Sequence, residues 1–108
     1  MKFIKILSCI AIITCSIYAK DNLNSGEDVF RAYCWGCHHQ TSEAFGPSFK
    51  QIANTRTKNQ MITHIMAPKS NYKELGYKRT VMPSFGNTLN KHEIDLIIDF
   101  INSYKDTK

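Results

Sequence analysis

The sequence predicts an all-α fold in a single domain. No segment alternates apolar and polar residues long enough to make a half-buried strand. Apolar residues recur instead at helical spacing in three places. Each stripe opens on capping residues: Ser25, then Thr57, then the pair Asn90 and Glu93. The length, 108 residues, suits one domain.

Residues 1–19 read as a secretory signal peptide. Lys2 and Lys5 give the positive start, Ile6 to Tyr18 the apolar stretch, and Ala19 the small residue before cleavage. A membrane-spanning helix needs about 20 apolar residues. This run is shorter and is interrupted by Ser8, Thr14 and Ser16. Cys9 and Cys15 leave with the signal, and residues 20–108 form the domain.

Residues 20–24 read as a loose tail. Ser25 then caps a first helix, with Glu27 and Asp28 in the first turn and Gly26, Val29, Phe30, Tyr33 and Cys37 along one face. Residues 39–56 read as mostly loop, broken at Gly46-Pro47. Thr57 caps a second helix with Met61, Ile62, Ile65 and Met66 on one side, and Pro68 ends it. Residues 69–80 are polar, with room for one helical turn near Tyr72 to Leu75. Pro83 pushes Met82 into extended backbone, so Met82 belongs to a loop. The last helix carries the stripe Ile94, Ile97, Ile98 and Ile101, with Phe100 and Tyr104 beside it.

The chain holds 14 Lys and Arg against 9 Asp and Glu; without Lys2 and Lys5 the excess is +3. That mild basic bias favours acidic partner surfaces over acidic substrates. No basic stripe interleaved with aromatics is present, which argues against nucleic acid as a partner.

The chemistry concentrates in Cys34-Trp35-Gly36-Cys37-His38. The spacing C-x-x-C-H reads as covalent attachment of a c-type haem. Two thiols this close can each add to one vinyl group on the same porphyrin edge, which brings the next residue's imidazole under the iron. Three other readings compete. A thioredoxin-like redox pair wants a βαβ context, which is missing. A structural zinc site wants a second ligand pair, whereas His64 and His92 are isolated singles. A plain disulfide suits an exported chain but leaves His38 unexplained.

The order of features resembles the short bacterial class I cytochromes c, from Gly26 to about Tyr104. It comprises Gly26 and Phe30, then C-W-G-C-H at 34–38, Gly46-Pro47, Met82-Pro83 and an aromatic-bearing last helix. The resemblance implies three to five helices around one covalently bound haem c, an electron carrier rather than an enzyme, and a periplasmic monomer. Its partners would be periplasmic or membrane-bound redox proteins. Two other readings stay open: a haem subunit dedicated to one periplasmic dehydrogenase complex, and a five-coordinate haem protein that binds gas or peroxide.

The resemblance also implies site residues. The first and last helices would cross at Gly26 and Phe30 against Ile97 and Phe100. His38 is the proximal ligand, and the carbonyl of Pro47 accepts from its other ring nitrogen. The family's order of features makes Met82, in its extended loop, the sixth ligand, while Met61 and Met66 sit on a helical face where methionine is usually packing. His64 and His92 are rival ligands. His39 is too close to His38 to reach the other face and reads as a solvated loop residue. Trp35 is the only tryptophan, so the family's propionate-binding tryptophan is missing; Tyr72, Lys73, Tyr77 and Arg79 are the candidates in its place. Phe30, Phe49, Leu75 and the last helix are expected to line the haem cavity.

Overall fold

The computed structural model describes residues 23–107, so the signal peptide reading falls outside the described residues. Among these there are five α-helices and no strand: α1 (Gly26–Val29), α2 (Phe49–Thr55), α3 (Lys58–Met66), α4 (Pro68–Asn71) and α5 (Lys91–Asn102). None is long and apolar enough to cross a membrane.

Ser25 caps α1 by accepting from the Asp28 N–H at 3.1 Å. The helix then widens into a π-helical stretch, Phe30–Cys34, and ends in turns through Cys37. Cys37 is therefore exposed and off the buried face that its spacing suggested.

Residues 49–55 correct the expectation of a loop. Ser48 caps α2 from the Gln51 N–H at 3.0 Å, and Phe49, Ile52 and Ala53 turn inward at i, i+3 and i+4. Both anticipated capping boxes are present. Thr57 and Gln60 exchange bonds of 2.9 and 3.2 Å at the start of α3, and Asn90 and Glu93 exchange bonds of 3.0 and 2.8 Å at the start of α5.

Pro68 follows the end of α3 but also opens α4, where its missing N–H costs nothing. The helical turn expected at Tyr72 to Leu75 sits earlier, at Pro68–Asn71, and 72–76 is non-helical turn.

The core forms where α1 crosses α5. A Cβ at Gly26 would collide with the Leu96 carbonyl and the Phe100 Cβ, so only glycine lets the backbones meet this closely. Phe30 packs on Phe49 at 5.2 Å and on Phe100 at 5.6 Å between ring centroids. The crossing is the expected one, with Leu96 supplying the backbone contact. Val29, Ile97 and Ile98 complete the fully buried centre. Met61 is core, but Met66, expected on the same face, is exposed.

Candidate functional site

Between the π-helical stretch, α2, α3 and the loop ahead of α5 lies a cavity of about 210 Å³. Cys34, Cys37, His38, Pro47 and Met82 all line it, together with Phe49, Met61, Ile65, Leu75, Phe85, Ile97 and Ile101. The last two show α5 facing the cavity as expected. Phe30 does not line it; it lies one layer behind, against Phe49.

The tight turn after the π stretch sets the first wall. The N–H groups of Cys37 and His38 both donate to the Cys34 carbonyl, at 3.2 and 3.0 Å. This brings the two sulfurs and the imidazole to one edge of the cavity. Burial, with Cys37 adding to it, pushes the Cys34 thiol up to about 12, so it is a neutral thiol at physiological pH. The two cysteines form no disulfide.

His38 is fixed by its neighbours. Its Nδ1 donates to the Pro47 carbonyl at 2.7 Å. A carbonyl only accepts, so the proton is on Nδ1 and the lone pair on Nε2. Burial holds His38 below the ordinary imidazole range; the Pro47 bond opposes this, and the nearby charge of His64 adds to it. Gly46 presses on the ring: a Cβ there would stand 2.6 Å from His38 Cε1. The pair breaks the chain as the loop reading has it, and the Pro47 carbonyl accepts from the ring as the family resemblance implies. The pair also clamps the imidazole.

Met82 reaches the cavity from the irregular segment before α5. Of its rivals, His92 is exposed, as is His39 beside the proximal histidine. His39 is less idle than expected, since its Nδ1 accepts from the N–H groups of Thr41 and Ser42, each at 3.1 Å. His64 does line the cavity.

Of the polar candidates, Tyr77 and Arg79 line the cavity and Tyr72 and Lys73 do not. Arg56 and Gln60 were missed. Arg56 ends α2, the helix hidden in an apparent loop. It donates to the Leu75 carbonyl at 2.8 Å and to the Tyr77 hydroxyl at 3.3 Å. Among the described residues, no three His, Cys, Asp or Glu side chains gather as they would for a bare metal ion.

The donor set fits a c-type haem: two thiols and an oriented imidazole at one edge, a thioether on another wall, and apolar side chains between. Fold and cavity define a small c-type cytochrome domain. A family model described as cytochrome c oxidase, cbb3-type, subunit III, matches residues 21–101, and the chain belongs to that family. It is a haem c electron-transfer protein, with iron in a covalently bound haem and other redox proteins as partners. No curated protein matches the chain. No solved structure matches it either.

Proposed function

We propose that the chain is an exported, periplasmic, single-haem carrier that passes single electrons between periplasmic or membrane-bound redox proteins. Cys34 and Cys37 hold the haem through thioethers. His38 would ligate the iron of a bound haem through Nε2, and the Met82 thioether would supply the other protein ligand. The observation that carries this reading is the convergence of these four side chains on one apolar cavity, with His38 locked to Pro47.

When bound, the haem supplies a one-electron couple at its iron. This chain's residues set that couple. The Pro47 bond orients the imidazole and raises its basicity. The Met82 thioether favours ferrous iron, and the apolar walls disfavour the added charge of ferric iron; both raise the potential. With His38 and Met82 both bound, no position is open to substrate, which suits outer-sphere transfer and not catalysis. Arg56, Tyr77 and Arg79 supply donors for the propionates. The small basic excess steers the molecule towards acidic docking surfaces.

The family's description names an oxidase subunit, which favours a second reading, a haem subunit held by one terminal oxidase. Under that reading the purified protein travels with the complex instead of alone as a monomer.

The ligand set is tested on the ferrous holoprotein. Its proton spectrum should show methionine side-chain resonances shifted strongly upfield by the haem ring, and Met82→Ala should abolish them. Carbon monoxide should bind Met82→Ala much faster than wild type, and Met82→His should stay low-spin with a lower potential. If the shifted resonances survive in Met82→Ala and disappear in Met61→Ala, Met82 is the wrong residue.

A further inference from the structure

Two imidazoles face the cavity, and the function above uses one. His64 stands on α3 between Met61 and Ile65, and all three line the cavity. Its Nδ1 lies 2.7 Å from Oδ1 of Asn71. Asn71 is 4% exposed, and its Nδ2 donates to the Gln60 carbonyl at 3.2 Å. That second bond fixes which end of the amide meets the ring. The amide oxygen only accepts, so His64 Nδ1 carries a proton, and in the neutral ring the lone pair is therefore on Nε2. Asn71 is not part of the cavity wall. Nδ1 therefore points away from the cavity and Nε2, across the ring, towards it.

This is how metal-binding imidazoles are held: one nitrogen donates to a neighbour that fixes the tautomer, and the other is free for the metal. His38 has the same arrangement with Pro47, also at 2.7 Å.

Met82 is held differently. From Lys78 to Ser84 no main-chain group makes a backbone–backbone hydrogen bond among the described residues. The Met82 N–H donates only to the Thr80 hydroxyl, at 3.3 Å, and Val81 beside it is 87% exposed. With the Ser84 hydroxyl bond to the Met66 carbonyl as its other tie to α3, such a segment opens at lower cost than a helix. His64, by contrast, stands on a capped nine-residue helix. Oxidation changes which donor the iron prefers, since thioether sulfur suits ferrous iron and imidazole nitrogen suits ferric iron.

We propose that His64 is a second axial ligand: Met82 holds the sixth position in the ferrous protein and His64 Nε2 holds it in the ferric protein. The inference rests on the haem reading above. When one electron leaves to a redox partner, the bond to Met82 sulfur breaks and a bond to His64 Nε2 forms. In the neutral ring no proton moves, because the Asn71 bond already places the proton on Nδ1 and the lone pair on Nε2. Re-reduction reverses the exchange. Asn71 is a positioning residue that keeps His64 in the receptive tautomer.

The test uses the purified holoprotein in both oxidation states. The ferric protein should lack the weak red absorption band of iron–sulfur ligation and show the paramagnetic resonance of two imidazoles. The ferrous protein should show the upfield methionine resonances. Voltammetry should give oxidation and reduction waves whose separation grows with scan rate. His64→Phe should restore the iron–sulfur band in the ferric state, raise the potential and remove the scan-rate dependence. Asn71→Leu should restore part of that band, and Asn71→Asp, which keeps the acceptor, should not. An iron–sulfur band already at full strength in ferric wild type, unchanged in His64→Phe, overturns the exchange while leaving the Met82 assignment standing. Loss of the upfield resonances from ferrous wild type would instead overturn the Met82 assignment, and the exchange with it.

Discussion

Gly46 shows how much one missing carbon decides. The backbone at this position lies against the His38 ring, and the carbonyl of the next residue, Pro47, accepts a hydrogen bond from the ring N–H. A methyl group there must move the imidazole or the loop. We expect Gly46→Ala to cost about 1–3 kcal/mol, the range for overpacking, and to weaken the proximal ligand's hold. The check is chemical unfolding of holoprotein alongside its potential; equal stability with an unchanged potential would show that the loop gives way freely. The motif residues Cys34, Cys37 and His38 were legible because their spacing is itself the chemistry. Arg56 and Gln60 were not, because nothing local distinguishes a cavity-facing Arg from a solvated one. The Met82 reading rested on a loop set by Pro83, a position downstream of a defined proximal histidine, and two competing methionines assigned to packing. One of those, Met66, turned out exposed, while Met61 packs in the core as expected.

Elements were legible where they were long or capped. The α5 stripe and its capping box are strong signals because twelve residues repeat one period and Asn90 and Glu93 satisfy each other's N–H groups. The short α2 escaped because seven residues show only one apolar repeat, and the preceding Gly46-Pro47 suggested irregular chain. The π-helical stretch escaped because a single wide turn barely disturbs an apolar pattern. Pro68 misled in a different way: the same residue ends one helix and begins another. The α1–α5 crossing depends on Gly26, so Gly26→Ala should destabilise the holoprotein by about 1–3 kcal/mol. The clashing atoms are a backbone carbonyl and a Cβ, and neither can swing aside. Thermal melting followed by helical circular dichroism reads this directly; a melting temperature equal to wild type would mean that the helices separate without cost.

At the scale of the whole molecule, the haem is part of the core. Without it the apolar walls of this cavity would be left facing water, a loss set against a total stability of only about 5–15 kcal/mol for a small domain. Residues 20–108 are few, and Met61, Ile65, Phe85, Ile97 and Ile101 all turn part of their surface to the cavity. We therefore expect Cys34→Ala and Cys37→Ala each to accumulate little folded protein, because cofactor and fold are thermodynamically linked. A helical, cooperatively melting, haem-free domain would show instead that the polypeptide closes its own core.

The central claim is that one haem is anchored at Cys34 and Cys37 beside His38. It is tested most directly by mass spectrometry of a tryptic digest of the purified protein. Cleavage after Arg31 and Lys50 isolates the segment Ala32 to Lys50, which holds both cysteines and the histidine. The peptide should carry the mass of one haem and have no thiol left to alkylate. A peptide of bare polypeptide mass, with two free thiols or a disulfide between them, would contradict it.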